Sequence, residues 1–205
     1  MIYCPRLITD PKEINAVYEF LKSQDLDYPQ YDEWCRKAKR EMELGYKKII
    51  AIYSKDKSGN SFVIGELVFQ QHKTDSSMIE LKNLRVDRQY RNKKICTALL
   101  ADVETYAREQ GYKKIICDAS SNSEDIVAVM TKRSYRIEAK ESLYTAKRID
   151  VILAKDLTEK QSIISATMSD LEKLIAKMKL LIVSLYRRYV LQLSRHSHSR
   201  NQFCR

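Results

Sequence analysis

Residues 81–117 read LKNLRVDRQYRNKKICTALLADVETYAREQGYKKIIC. In one unbroken run they spell a strand, a short basic loop, an amphipathic helix and a second strand. The first strand closes on Leu84, Arg85 and Val86, and the loop RNKKI opens directly into a helix. That helix carries apolar residues at Ile95, Leu99, Leu100, Val103 and Tyr106, a one-face pattern at helical period. Its first turn has backbone N–H groups with no acceptor inside the helix and the positive end of the peptide dipole. A basic loop leading into such a turn predicts an anion, most simply a phosphate, at this point.

The run resembles motif A of the GNAT family of N-acetyltransferases, in which a strand is followed by R/Q-x-x-G-x-G/A at a helix start. Arg91, Asn92, Lys93, Lys94, Ile95 and Cys96 occupy the motif, and Val86, Tyr90 and Arg91 fit the flanking pattern. Lys94 and Cys96 stand where the family has Gly and Gly or Ala. Glycine there lets the backbone approach the ligand; Lys93 and Lys94 offer side-chain charge in its place, a less rigid way to position a phosphate. The resemblance implies an α/β (α+β) fold with a mixed, mostly antiparallel sheet flanked by helices. It implies acetyl-CoA as co-substrate, held by Leu84, Arg85, Val86, Arg91, Asn92, Lys93, Lys94, Ile95, Cys96, Thr97 and Asn122. It covers residues 1–157 and rests mainly on 81–151.

The rest of that span can be read segment by segment. Residues 1–8 suit a first strand. Asp10-Pro11 starts a helix, since Asp caps and Pro suits the first turn, and Ile14, Val17, Tyr18 and Leu21 supply its apolar stripe. A second helix spans about 31–44, with Trp34, Ala38 and Met42 at four-residue spacing and Gly45 after it. Runs at 47–53 and 62–69, separated by KDKSGN, read as a hairpin. Residues 78–86 form the next antiparallel strand. After the motif come Gly111 as a helix stop, a strand at 113–118, and a helix within SNSEDIVAVMTKRSY capped by Ser121 or Ser123. Strands at about 135–139 and 143–153 complete the order β-α-α-β-β-β-α-β-α-β-β.

From Thr158 the character changes. A stretch without Gly or Pro runs to about 193, with Ile164, Leu171, Met178 and Leu185 seven residues apart and Met168, Ile175, Ile182 and Tyr189 four after each. This predicts a long C-terminal helix over 158–195 whose apolar stripe must be covered. Docking on its own domain, pairing with a second copy as a homodimer, and binding a membrane surface are the ways to cover it. The basic end, 196–205, reads as disordered tail.

The chain has 37 basic and 27 acidic residues, a formal charge of +10. Ten basic and four acidic side chains lie from Lys155 onward, so the excess concentrates there. That balance suits a polyanion, nucleic acid included, or a solvated surface, but no aromatic-basic pattern of a nucleic-acid module accompanies it. The five cysteines are scattered, with no C-x-x-C pair and no histidine nearby, which argues against disulfides and against a metal site. The N-terminus lacks a signal-peptide core. No run reaches the ~18 uncharged residues of a transmembrane segment, so the expected location is the cytoplasm.

For chemistry, the resemblance places Glu80 at the family's general base, on the same strand face as Leu84 and Val86 by simple alternation. A carboxylate in that role needs burial to raise its pKa. The family's acid, a Tyr, is replaced by Met130, and Ser134-Tyr135 replaces Gly-Phe; Tyr144 is the alternative hydroxyl. Exposed at a helix start, Cys96 would have a lowered thiol pKa, but with no His base in reach it reads as a glycine replacement. Trp34 with Tyr28 and Tyr31 can line the acceptor pocket or pack the core. Two functions follow as alternatives: an N-acetyltransferase acting on a primary amine, a charged tRNA among the candidates, or a degenerate acetyltransferase fold serving as a binding and assembly module.

Overall fold

The computed structural model describes residues 3–24, 30–144 and 148–158, together with Ile175 and Met178. The chain divides into two compact units, Met1–Thr158 and Glu159–Arg205. The helix expected over 158–195, the tail 196–205 and Tyr28 lie outside the described residues, apart from Thr158, Ile175 and Met178, which are helical.

In the first unit the helices begin where the capping chemistry says. The Asp10 carboxylate accepts from the N–H groups of Lys12 (2.8 Å) and Glu13 (3.3 Å), and α1 (Pro11–Lys22) follows. Helix α2 (Tyr31–Glu43) starts instead from Gln30, which is left-handed (φ 58°) and provides no side-chain cap. Strand β1 is short (Arg6–Ile8), because Pro5 has no N–H with which to extend the ladder. β2 (Lys48–Lys55) and β3 (Ser61–Gln71) form the expected hairpin. Asp56 organises its turn by accepting from Ser58 N–H (2.8 Å) and Asn60 N–H (2.9 Å). β4 spans Met78–Val86, antiparallel to β3. Then come α3 (Ile95–Glu109), β5 (Lys114–Ser120), α4 (Glu124–Lys132), β6 (Arg136–Glu141) and β7 (Asp150–Asp156).

Among the described residues seven strands order as β1-β2-β3-β4-β5-β7-β6, with β4 and β5 parallel and the other neighbours antiparallel. One face packs α3 and α4 through Leu99, Leu100, Val103 and Met130 against Leu67, Phe69, Ile79 and Leu81. The other packs α1 and α2 through Val17, Leu21, Cys35 and Ala38 against Ile49, Ala51 and Val68. The final strand is shorter than expected at its start: Leu143 and Tyr144 form an exposed bend and the ladder begins at Asp150, whose buried carboxylate accepts from Arg148 Nε (2.7 Å).

Behind α3 lies a buried charge cluster. The Glu104 carboxylate receives Arg133 through two nitrogens (3.0 and 2.9 Å) and Lys155 Nζ at 2.6 Å, joining α3, the end of α4 and β7. Burial depresses the Lys155 pKa, against the pull of Glu104. Such a cluster is stable only while every charge in it keeps a partner.

Candidate functional site

Parallel pairing of β4 with β5 holds for four residue pairs, from Met78–Lys114 to Leu81–Cys117. Beyond Leu81 the two strands part, while β5 continues alongside β7 to Ser120. Among the described residues the remainder of β4 therefore has one neighbour, β3, and an edge without a strand partner. The polar groups on that edge follow from register. The N–H of Asp87 donates to Ile64 O (2.9 Å), so residues 85 and 87 turn their backbone toward β3, and Leu84 and Val86 turn theirs into the gap. One of these groups is occupied: Arg85 Nη1 donates to the Leu84 carbonyl at 3.0 Å.

The loop after β4 leads straight to the same gap. Asp87 accepts from Gln89 N–H (2.8 Å) and sets a single 3₁₀ turn, Arg88–Tyr90. Arg91 is extended, Asn92 is left-handed (φ 59°), and so is Lys94 (φ 63°), the residue just before α3. Lys94 thus adopts the backbone shape that glycine provides in motif A, at a cost of about 1–2 kcal/mol for a residue with a Cβ. The first bond of α3 runs from Ala98 N–H to Lys94 O (3.0 Å), so the amides of Ile95, Cys96 and Thr97 have no acceptor within the helix. Lys93 Nζ lies 4.8 Å from the centre of the Tyr90 ring, which meets Phe62 edge-on. The close approach that glycine gives the loop elsewhere is here made beneath it. A Cβ on Gly65 of β3 would stand 2.7 Å from Ile95 Cγ2, so α3 begins directly against the sheet.

The remaining predicted residues fall around this gap or away from it. Tyr144 donates its hydroxyl to Asp118 (2.8 Å), the first residue of β5 past the paired region. Asn122 is exposed in the turn after β5, its N–H near Ser120 Oγ (3.4 Å). The N-cap of α4 is Ser123, without a side-chain bond. Met130 is core, 2% exposed. Cys96 is half-buried, so the exposure that would lower its pKa is not met: burial pushes its thiol up to about 11 despite the nearby positive charge of Arg133, and it is a neutral packing group.

Glu80 departs from the expected geometry. In the β3–β4 ladder Val68 pairs with Asn83 and Phe69 with Leu81, which leaves Lys82 as an extra residue. A bulge of one residue inverts the alternation across it. Glu80 therefore faces the α1–α2 side with Asn83 and Arg85, opposite Leu84 and Val86. It is half-buried, accepts from Gln70 Nε2 (3.2 Å) and is ion-paired with Lys82 (2.5 Å).

The same face holds a carboxylate that the sequence reading passed over. Glu66 on β3 is fully buried, and neither of its oxygens has a hydrogen-bond partner. Burial pushes its pKa up to about 8, opposed by Arg85, its cross-strand neighbour. Above it lie Tyr31 and Cys35 of α2. Burial raises the pKa of both, and the Tyr31 hydroxyl donates to Leu21 O (2.9 Å). Tyr31 also stacks on Trp34 at 5.9 Å. The signal was a lone acid in the run FVIGELVF, where an ionisable residue inside an apolar strand needs a reason.

The model of the acetyltransferase (GNAT) family matches residues 14–135, and the chain belongs to that family. No curated protein matches the sequence. Solved structures share the fold across nearly their whole length. A GNAT-family acetyltransferase from Desulfovibrio desulfuricans superposes with a TM-score of 0.65 at 14% identity, over 76% of this chain and 99% of that one. Arabidopsis thaliana NAA60 in complex with acetyl-CoA gives 0.61 at 13% identity, over 77% and 99%. The spermidine/spermine N-acetyltransferase SpeG of Vibrio cholerae gives 0.58 at 9%, over 78% and 98%.

Among the described residues, no helix is long and apolar enough to cross a membrane, and no group of His, Cys, Asp or Glu is placed to hold a metal ion.

Proposed function

We propose that the protein is an N-acetyltransferase that moves the acetyl group of acetyl-CoA to a primary amine. The observation that carries this is the parting of β4 from β5 beside the uncapped start of α3. Free amides at Ile95, Cys96 and Thr97, with Arg91, Asn92, Lys93 and Lys94 around them, suit the two phosphates of a pyrophosphate. The outward backbone of Leu84 and Val86 suits the amide-bearing pantetheine arm, as a strand would pair there.

Bound acetyl-CoA supplies an acyl carbon activated as a thioester. The chain's part is to position and to move protons. Leu84 and Val86 lie on the α3 side of the sheet and Glu80 on the α1–α2 side, so arm and amine meet from opposite faces where the strands part. Glu80 accepts a proton from the attacking amine. The Tyr144 hydroxyl, which donates to Asp118 of β5, is the group we assign to give a proton to the departing thiolate. Replacing Glu80 by Gln lowers turnover tenfold or more and leaves acetyl-CoA affinity unchanged; equal turnover would remove Glu80 from the reaction.

Calorimetric titration with acetyl-CoA tests the site directly. A micromolar Kd is expected, weakened at least several-fold in the Lys93→Ala, Lys94→Ala double variant, and silence up to millimolar concentration would overturn the assignment. A second reading, a binding and assembly module without turnover, is favoured by Met130 in the core where the family has its acid. Thiol release from acetyl-CoA in the presence of spermidine, a lysine peptide or an aminoacyl-tRNA separates the two readings.

A further inference from the structure

The Leu84 carbonyl, which faces the gap and suits the cofactor arm, already holds a donor in Arg85. Arg85 is at the same time the cross-strand neighbour of Glu66, yet no ion pair joins them, and Arg85 Nε is buried without a partner. Glu66 is likewise buried with both oxygens unpartnered. A buried guanidinium nitrogen and a buried carboxyl, adjacent and each unsatisfied, make an arrangement that holds only while the carboxyl is neutral.

We propose that Arg85 and Glu66 form a two-position pair that couples acetyl-CoA binding to loss of a proton. With Glu66 protonated, the guanidinium sits on the Leu84 carbonyl. With Glu66 ionised, it turns to the carboxylate and leaves that carbonyl to the pantetheine arm. This rests on the acetyl-CoA reading of the site. Both residues position the arm and take no part in bond making.

The surroundings of Glu66 leave Arg85 as its counter-charge among the described residues. Tyr31 and Cys35 of α2 are neutral near pH 7, burial having raised both. Ala51 of β2, opposite Glu66, carries no charge, and Asn83 of β4 is uncharged. Glu80 and Lys82 pair with each other farther along the face. Burial holds the Glu66 carboxyl at about 8 in the free protein, so near pH 7 it is mostly protonated. Pairing with Arg85 in the complex lowers that value. Binding then releases up to one proton, and by linkage affinity rises up to tenfold per pH unit until about pH 8, then levels.

The test uses acetyl-CoA alone and needs no acceptor. Calorimetry at pH 7 in phosphate and in Tris gives the protons released on binding, and titrations between pH 6.5 and 8.5 give the slope of Kd. Wild type should release about one proton more than Glu66→Gln, because the phosphates of acetyl-CoA titrate equally with both. At pH 8.5 Glu66→Gln should bind more weakly than wild type by on the order of fiftyfold or more, the affinity difference that a release of about one proton at pH 7 implies. Arg85→Met, in which the Leu84 carbonyl is always free, should lose the extra proton and yet bind more tightly than Glu66→Gln at pH 6.5. Equal proton counts and slopes in wild type and Glu66→Gln would overturn the pair while leaving the acetyl-CoA site intact. An absence of binding by wild type at every pH would instead overturn the acetyl-CoA reading. Arg85→Met gives an independent answer if Glu66→Gln fails to fold.

Discussion

Lys94 holds a backbone conformation that costs a residue with a Cβ about 1–2 kcal/mol, and it does so at the turn whose next three amides, those of Ile95, Cys96 and Thr97, have no acceptor within α3. Lys94→Gly should relieve that strain by about 1 kcal/mol and raise Tm by about 2–4 °C, which a thermal melt reads directly; a lower Tm would show the turn unstrained. Glu66 carries a larger local cost. Its folded pKa, about 8, lies above the ordinary carboxyl value of 4.5, so the folded state prefers the protonated form. The stability this provides is present below pH 4.5 and is lost as pH rises toward 8, on the order of 1.4 kcal/mol for each unit traversed. Denaturant unfolding should show that slope between pH 5 and 8, and Glu66→Gln should flatten it. A wild-type profile as flat as the variant's would mean that Glu66 ionises freely.

At the scale of elements, the proposed site depends on α3 beginning against β3. Gly65 permits this, since a Cβ there would stand 2.7 Å from Ile95 Cγ2 and 3.3 Å from the Arg85 carbonyl. Gly65→Ala must lift the first turn of α3 or shift β4, at a cost of about 1–3 kcal/mol, and the amides proposed to hold a phosphate move with it. Chemical denaturation and acetyl-CoA titration should therefore weaken together. Affinity retained despite lost stability would detach the helix start from phosphate binding. Much at this scale could be read beforehand. The bounds of β4 matched the run from Met78 to Val86, the Asp10-Pro11 start held, and the hairpin turn formed at KDKSGN, because periodicity and capping are local. The bulge at Lys82 was not legible, because a bulge belongs to the pairing of two strands and leaves no mark in one of them. It is why simple alternation put Glu80 on the wrong face.

For the molecule as a whole, the described residues of both hydrophobic clusters in the first unit lie before 158. A chain ending at Thr158 should therefore fold with an unchanged denaturation midpoint and bind acetyl-CoA within twofold of the full chain. A truncated protein that aggregates or melts many degrees lower would show that the later residues belong to the core. Sedimentation of both forms reads whether the apolar stripe over 158–195 pairs two copies: a dimer that becomes a monomer on truncation is the expected mark of pairing.

The residues by themselves determined the order of strands and helices, the basic loop that opens into α3, and the family to which such a run belongs. Each depends on neighbours a few positions apart, where backbone geometry and capping act. Only the folded sheet decided which face Glu80 presents, that β4 and β5 part after Leu81, and that Glu66 is sealed beside an Arg85 already engaged elsewhere. Those outcomes depend on strand register and on contacts between residues distant in the chain, and burial, which sets the charge of Glu66, is a property of the packed core alone.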